Sequence, residues 1–425
     1  MSSIADFFSG KSILITGVTG FLGKAILEKL LRALPDVRCV FVLIRQKHLL
    51  NGTIASCEDR LRDEVLASSL FDRLRRTHGK IFDELAHAKI VAVSGDLTEE
   101  KLGLSKNDYS NMAAQVDVII NSAAVVSFDE QLDLSLEINV LGVDRLLEFA
   151  HTCTHTPVLM HISTCYVNST HKGYVPEEPP VPNDVDDEIG SALQICNDIK
   201  SADNLPGNRS LREKLVDAGL ELSKKRGWND TYTYTKALGE RAVVKRRGNL
   251  PTVILRPSII ESTFAEPMPG WIDGLRMGDP LIVGYARGQL KDFPGDAKSV
   301  MDLIPCDFVV NAILASIPKA AHDNNLQIYQ VSTETPNPLT FQDVCNLCHD
   351  YFTRNPLTDK EGRPISVTRW RNTPVHTFKR RLQKLELVIR LGHWICTRTG
   401  LRRWQQKLSQ LQTAFDRLTY YVNIF

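Results

Sequence analysis

Tyr232 and Lys236, in the segment 231–239, are spaced for acid–base chemistry. Their separation of four residues puts both side chains on the same face if the segment is helical. A phenol with a pKa of about 10 transfers protons poorly at neutral pH, and a neighbouring ammonium lowers that pKa by stabilising the phenolate. The pair therefore predicts a tyrosine that exchanges a proton with a substrate oxygen. Tyr234 is a competing phenol without a lysine four residues on, so we expect it to pack in the core.

Two hydroxyl side chains, Ser163 and Thr164, lie at the end of the apolar run 158–163, which predicts a buried strand. A hydroxyl at such a strand end is placed to hydrogen-bond a substrate carbonyl next to the tyrosine. Both residues qualify, and we favour Thr164 for this role.

A glycine loop, Gly17, Gly20 and Gly23, lies between a predicted strand at 12–16 and a predicted helix that begins at Phe21. Glycines let the backbone approach a diphosphate, and a helix N-terminus supplies unpaired N–H groups and positive potential. The position directly after the first strand predicts a dinucleotide-binding loop rather than an ordinary strand–helix turn.

Residues at the ends of three further predicted strands are of types that can bind the same dinucleotide. Arg45 follows the predicted strand 39–44, where a carboxylate would hold the ribose of NAD, so a 2′-phosphate and hence NADPH is favoured. Asp96 follows the third predicted strand, where a carboxylate can meet the adenine amino group. Small residues follow the fourth strand at 121–124, where the cofactor can lie against the backbone.

The elements that position these residues alternate along the chain. Apolar strands separated by helical segments predict an α/β fold, a doubly wound and mostly parallel Rossmann sheet. We expect a catalytic, NADPH-binding domain over 1–335 and a helical region over 336–425. Residues 176–230 form either a lid over an apolar substrate or a plain surface insertion, and 261–300 a substrate region.

The composition narrows the function classes. Fifty-one Lys and Arg nearly balance 50 Asp and Glu, which argues against a nucleic-acid binder. Nine scattered cysteines do not indicate a disulfide framework, and no motif has the spacing of a metal site. No secretory signal or membrane span is apparent, so we expect an intracellular protein. The segment 379–407 carries nine basic residues and one acid, which predicts a solvated helix face or a surface for anionic lipid headgroups or a phosphorylated carrier.

Together these motifs resemble the extended short-chain dehydrogenase/reductases, and more specifically the fatty acyl-CoA reductases. The similar segments are TGVTGFLGK from Thr16, EINVLG from Glu137, HISTCYVN from His161, TYTYTKALGE from Thr231, LRPSII from Leu255, EPMPGWID from Glu266 and DLIPCD from Asp302. The resemblance extends over about 5–345 and then weakens, and the usual closing segment is expected to be missing. Family members usually work at membranes of the endoplasmic reticulum or peroxisome.

The resemblance implies reduction of a long-chain acyl-CoA by two NADPH to a primary alcohol and free CoA. The resemblance also implies that Thr164, Tyr232 and Lys236 are the catalytic residues and that Asn139 supports the lysine. Cofactor contacts are implied for Gly17, Thr19, Gly20, Phe21, Leu22, Gly23, Arg45, Asp96, Leu97, Asn121, Ala123, Asn139, Ser163, Pro257 and Ser258. The competing interpretations are a nucleotide-sugar epimerase or hydroxysteroid-type dehydrogenase on the same fold, and an NADPH-binding scaffold without turnover. Oligomeric state is not indicated by the sequence.

Overall fold

The computed structural model describes residues 3–49, 52–169, 171, 173–181, 183–202, 210–290, 292–399, 404, 408–409, 412 and 415. Among them, seven parallel strands form a central sheet. In chain order, β1 to β7 span Ser12–Thr16, Cys39–Ile44, Ile90–Ser94, Val118–Asn121, Val158–Ile162, Thr252–Pro257 and Leu326–Val331. Their order across the sheet is β7-β6-β5-β4-β1-β2-β3, so the chain winds outward in both directions from β1. This arrangement confirms the predicted doubly wound Rossmann sheet.

Helices connect these strands. In chain order, α1 to α15 span Ile4–Phe8, Phe21–Ala33, Cys57–Arg60, Asp72–His78, Phe82–Lys89, Lys106–Ala113, Leu132–Leu136, Gly142–Thr152, Val185–Ala202, Leu211–Arg226, Thr231–Arg246, Asp279–Ala286, Cys306–Asp323, Phe341–Arg354 and Val375–Thr399. Two π-helices span Leu61–Leu66 and Glu137–Leu141, and 3₁₀ turns span Ser69–Phe71, Gly79–Ile81, Glu100–Gly103 and Cys165–Asn168. Short strands outside the central sheet span Lys47–His48, Ile54–Ala55, Ile259–Glu261, Asp292–Pro294, Leu303–Pro305 and Arg371–Thr373.

The central strands are apolar along their length because the sheet is covered on both faces. In β1, Ile13 and Ile15 point into the apolar cluster on one face, whereas Leu14 points into the cluster on the other. Helices α2 and α13 contribute to the first cluster, and α6 and α8 to the second. This two-sided packing fixes the strand ends that carry the candidate site.

Helices α9 and α10 of the predicted insertion pack through a third apolar cluster against Leu132, Leu136 and Tyr234. Tyr234 is fully buried, as predicted, and its hydroxyl donates to Glu188 at 3.1 Å. Arg241 also binds Glu188, at 2.6 Å, so a buried carboxylate on α9 ties the insertion to α11. The lid role of this insertion stays a prediction.

The chain forms two compact units, Met1–Asp273 with Ile304–Ser332, and Gly274–Leu303 with Thr333–Phe425. The first unit contains the central sheet and every predicted catalytic or cofactor residue. The boundary at 335 and the substrate role of 261–300 stay predictions.

The core of the second unit is built around Tyr285, which stacks on Trp370 with ring centroids 4.8 Å apart. Cys345 and Cys348 are buried in this core. Helix α15 buries Phe378, Leu382 and Ile389 in the same cluster. No helix in the described part of the chain has the length and apolar character to cross a bilayer.

Candidate active site

The glycine loop after β1 is tightly folded. Gly17 has a φ of +73°, and a Cβ there would lie 2.7 Å from the amide nitrogen of Ala123. A Cβ at Gly23 would collide with the carbonyl oxygen of Gly17. Both positions therefore require glycine, because any side chain would fill the cradle between the loop and the end of β4.

The first turn of α2 begins at this loop. Gly20 is the N-cap and has no side chain to cap the helix. Phe21, Leu22 and Gly23 form the first turn, and the preceding Thr19 is partly exposed beside them. The positive end of the helix dipole at this turn suits a diphosphate.

Buried polar side chains join the ends of β1, β4 and β5. Thr16 donates to the Asn121 amide oxygen at 2.7 Å and accepts from the Ala123 N–H at 3.2 Å. The Asn121 amide nitrogen lies 3.2 Å from His161 Nδ1. Burial, together with the charge of Lys236, lowers the pKa of His161 well below its ordinary value, so this ring is neutral. Asn121 thus holds neighbouring strands together, and its side chain is already occupied.

Thr164 and Tyr232 meet at the end of β5. Thr164 is buried, and its hydroxyl lies close enough to the Tyr232 phenol to lower the pKa of that phenol. The Thr164 hydroxyl also lies 3.4 Å from the carbonyl oxygen of Pro257, which ends β6. Phe128 packs edge-on against the Tyr232 ring at 5.8 Å. The two predicted catalytic hydroxyls therefore face each other beside an apolar wall.

The expectation that an ammonium lowers the Tyr232 pKa is wrong for this structure. Burial raises the pKa of Tyr232, the hydrogen bond with Thr164 lowers it in part, and the charge of Asp230 raises it further. Lys236 is turned toward the sheet, where its ammonium donates to the Ile162 carbonyl at 2.6 Å. The phenol is consequently protonated at neutral pH.

Lys236 is almost fully buried, and burial lowers its pKa to about 8. Glu240, one turn further along α11, opposes that shift. Glu240 forms a buried ion pair with Arg256 of β6, with its Oε2 2.7 Å from Arg256 Nη2. The sequence interpretation missed this pair, and the spacing of four residues between Lys236 and Glu240 is a signal only for the interaction of Glu240 with the lysine.

Asn139 lies in the π-helix Glu137–Leu141 and is buried. Its side chain accepts from the Val125 N–H at 3.0 Å and donates to the Val125 carbonyl at 3.1 Å. It also donates to the Thr235 hydroxyl at 3.0 Å, next to Lys236 in sequence. Asn139 therefore joins the loop after β4 to the helix that carries the lysine.

Ser163 and Ser258, at the ends of β5 and β6, carry buried hydroxyls with no hydrogen-bond partner among the described residues. Buried polar groups are normally satisfied, so two such hydroxyls beside Tyr232 and Lys236 indicate a polar ligand. Together with the glycine cradle at Gly17, they fit a nicotinamide dinucleotide that spans the carboxyl ends of the strands.

The other end of that ligand site lies at β2 and β3. Arg45 forms an ion pair with Asp96 at 3.7 Å, both side chains being partly exposed. Leu97 is buried beside Asp96. Arg60, which the sequence interpretation missed, donates to the Arg45 carbonyl at 2.7 Å. The Nε of Arg60 is buried and has no partner among the described residues. No local sequence pattern predicts this feature.

Comparisons with known proteins identify the family of the chain. Residues 15–313 match the NAD-binding family model described as "Male sterility protein". The chain is 38% identical to fatty acyl-CoA reductase 2, chloroplastic, of Arabidopsis thaliana, over 86% of this chain and 61% of that protein. It is 34% identical to the alcohol-forming fatty acyl-CoA reductase of Simmondsia chinensis, over 87% and 76%. It is 32% identical to fatty acyl-CoA reductase 1 of Rattus norvegicus, over 100% and 77%.

Among solved structures, the terminal R domain of the myxalamid PKS-NRPS pathway matches with a TM-score of 0.57 at 21% identity, over 89% of this chain and 75% of that one. The R domain of a nonribosomal peptide synthetase from Mycobacterium tuberculosis matches with a TM-score of 0.56 at 21% identity, over 91% and 79%. These likenesses support the fold. The chain spans 61% of the length of the chloroplastic relative and 82% of a probable fatty acyl-CoA reductase 5 that is 36% identical to it. The site takes a nicotinamide dinucleotide, and the chain belongs to the fatty acyl-CoA reductase family.

Proposed function

We propose that this chain reduces long-chain fatty acyl-CoA to a primary alcohol and free CoA with NADPH, by way of the aldehyde. The observation that carries the proposal is the placement of Thr164 and Tyr232 near each other at the end of β5, where Lys236 is buried against Ile162 and two serine hydroxyls have no partner among the described residues. The glycine cradle lies at the same carboxyl edge of the sheet. The names of its relatives support the acyl-CoA substrate and the alcohol product.

The bound cofactor supplies the hydride in both reductions. The hydroxyls of Thr164 and Tyr232 hydrogen-bond the carbonyl oxygen on which negative charge develops. A preorganised donor of this kind stabilises the transition state by about 3–4 kcal/mol. Because burial keeps the phenol protonated, Tyr232 is the proton donor to that oxygen.

Lys236, with a pKa of about 8, holds its ammonium against the end of β5. The first reduction converts the thioester into a hemithioacetal, which loses CoA as the thiol and leaves an aldehyde. The second reduction turns the aldehyde into the alcohol, again with Tyr232 giving the proton. The sum is one acyl-CoA, two NADPH and two protons converted into one alcohol, two NADP⁺ and one CoA.

Preference for NADPH over NADH is proposed from the positive side chains at the end of β2. Arg45 and Lys47 lie there, and Arg60 fixes the Arg45 backbone. Arg45→Ala is expected to lower kcat/KM for NADPH at least tenfold, the loss of one charge-assisted contact, and to leave NADH unaffected. An unchanged ratio of the two cofactors would remove Arg45 from the 2′-phosphate site.

The test of the function is product analysis by mass spectrometry after incubation of the purified protein with NADPH and palmitoyl-CoA. Tyr232→Phe is expected to lower the rate about 100- to 10,000-fold, the usual range for a lost general acid. Tyr174→Phe is the matched control, since that phenol is 87% exposed. Equal rates for wild type and Tyr232→Phe would contradict the mechanism.

Two competing functions give other outcomes in the same assay. A nucleotide-sugar epimerase or hydroxysteroid-type dehydrogenase would leave acyl-CoA unchanged and convert a UDP-sugar or a hydroxysteroid. A scaffold would bind NADPH and convert none of these substrates. The intact Thr164, Tyr232 and Lys236 set argues against the scaffold, and the segment Pro269-Gly270-Trp271 together with the basic segment 379–407 disfavours the epimerase or dehydrogenase.

Contact with an anionic membrane surface is proposed for the basic segment 379–407, of which 400–403 and 405–407 lie outside the described residues. Helix α15 exposes Leu387, Val388 and Leu391 beside exposed Lys384 and Arg390. Apolar side chains flanked by cations favour the interface of an anionic bilayer, and a place on the cytosolic face of the endoplasmic reticulum or peroxisome is proposed on this ground.

Sedimentation with vesicles tests this contact. We expect binding to vesicles that contain 30% phosphatidylserine, and loss of that binding in Lys384→Glu/Arg390→Glu. Arg76→Glu/Lys80→Glu makes the same change of charge on an exposed surface elsewhere and is the control. Equal binding by both variants would contradict a role for α15.

A further inference from the structure

The segment Thr263–Asp273, here called the strap, is not used by the proposed chemistry. It follows β6, which ends at Pro257 directly before Ser258, and it ends against α2. It therefore connects the nicotinamide end of the proposed cofactor site with the helix of the diphosphate-binding loop.

The strap is held in one conformation at its start. The carboxylate of Asp307, in the first turn of α13, accepts hydrogen bonds from three successive backbone N–H groups, those of Phe264, Ala265 and Glu266, at 2.8, 2.9 and 3.0 Å. Inside the strap, the buried Thr263 hydroxyl donates to the Met268 carbonyl at 2.6 Å and accepts from the Trp271 N–H at 3.0 Å. These bonds leave the strap little freedom.

The C-terminal end of the strap contacts the first turns of α2. Trp271 is buried and stacks on Phe21, with ring centroids 5.3 Å apart and ring planes 25° from parallel. Asp273 forms an ion pair with the buried Lys24 at 2.9 Å. Phe21 directly follows the N-cap Gly20, and Lys24 lies one turn further on.

A second contact holds the other half of the helix. Glu266 binds Lys29 and, at 3.2 Å, Arg32, and Arg32 in turn binds the buried Glu28 at 2.7 Å. The strap therefore touches α2 along its length. The N-cap Gly20 has no side chain that could hold the first turn, and the contacts of the strap with Phe21 and Lys24 hold it instead.

We propose that Trp271 and Asp273 are positioning residues that hold the first turn of α2 where its N–H groups meet the diphosphate of the cofactor. The inference rests on the proposed function. Hydrogen bonds to a charged ligand depend steeply on placement, and a site must be held within about 0.5 Å to keep them. A strap fixed to α13 at one end and to Phe21 at the other meets that requirement.

Binding of two cofactor fragments, measured by titration calorimetry, tests the proposal without turnover. ADP-ribose 2′-phosphate contains the diphosphate, whereas adenosine 2′-monophosphate lacks it. Trp271→Ala is expected to weaken binding of the first about tenfold, the effect of one weakened charge-assisted hydrogen bond, and to leave the second unchanged. Trp271→Phe keeps a stacked ring and should restore most of the affinity. Phe264→Ala, in the same strap but 67% exposed, is the control.

The outcomes separate a positioning role from a structural one. A parallel loss of affinity for both fragments would overturn the proposal, and so would unchanged affinity for both. If Trp271→Ala does not fold, Trp271→Leu carries the same test with a smaller cavity and an expected loss of about threefold. A wild-type protein that binds neither fragment would overturn the proposed function, and the role of the strap with it.

Discussion

Removing the charge of Glu240 should affect stability and catalysis in separable ways. Glu240 and Arg256 are both almost fully buried, and Arg256 Nε lies 3.0 Å from Glu240 Oε1 while Nη2 lies 2.7 Å from Oε2. Glu240→Gln keeps the shape of the side chain but leaves the Arg256 cation without its counter-ion. Breaking a buried pair in this way costs about 3–5 kcal/mol in the free energy of unfolding.

The double variant Glu240→Leu/Arg256→Met provides the matched control. It removes both charges and keeps apolar volume, so we expect it to recover most of the stability that Glu240→Gln loses. Urea unfolding followed by circular dichroism measures all three proteins at the same pH. A loss below about 1 kcal/mol in Glu240→Gln, or a double variant no more stable than the single one, would refute the account of the pair.

The same substitution should move the pH dependence of the reaction. The charge of Glu240 raises the pKa of Lys236, which burial otherwise lowers to about 8. Without that charge the pKa falls further, so the ammonium is lost at lower pH. The alkaline limb of kcat/KM for palmitoyl-CoA reduction should therefore shift to lower pH in Glu240→Gln, and an unmoved limb would show that Lys236 does not set it.

Three further outcomes are expected. Gly17→Ala should abolish NADPH binding, measured by calorimetry, because its Cβ would lie 2.7 Å from the Ala123 nitrogen. The control is Gly10→Ala, which should bind NADPH normally, since Gly10 has a similar φ of +71° and open space around it. Between pH 8 and 10.5, the free energy of unfolding of wild type should rise relative to that of Lys236→Met. The pKa of Lys236 is lower in the folded state than in the unfolded state, so the unfolded chain binds more protons in that pH range. A difference between the two proteins that stays constant with pH in urea titrations would contradict this. If the insertion at 176–230 covers the acyl chain, KM should fall up to about fourfold for each methylene added to a short acyl-CoA. This factor corresponds to about 0.8 kcal/mol of free energy gained per buried methylene. A KM that does not change with chain length would contradict the lid role.

Much of the site could be predicted because its signals are local. The spacing of Gly17, Gly20 and Gly23 directly after an apolar run marks the loop, and the four-residue spacing of Tyr232 and Lys236 marks the helix face. The alternation of apolar runs with helical segments was sufficient for the sheet, since each run is buried on both faces.

The rest depends on pairings between distant parts of the chain. Arg256 meets Glu240 only once β6 packs against α11, and Trp271 meets Phe21 only after the strap has crossed to α2. The raised pKa of Tyr232 follows from desolvation of the phenol and from the charge of Asp230, which the spacing of Tyr232 and Lys236 does not reveal. That spacing placed an ammonium beside the phenol, whereas the structure turns the Lys236 ammonium toward Ile162.

The π-helix Glu137–Leu141 carries a consequence for how this fold tolerates change in length. A π-turn accommodates one residue more than an α-turn, which widens the backbone at Asn139. From this wider turn the Asn139 side chain reaches Val125 and Thr235. Deletion of one residue from this turn would restore regular helical winding and keep the faces of the flanking helices, but it would remove the wide turn from which Asn139 reaches its partners. A single lost codon here would thus separate α11 from the loop after β4 while leaving a continuous helix.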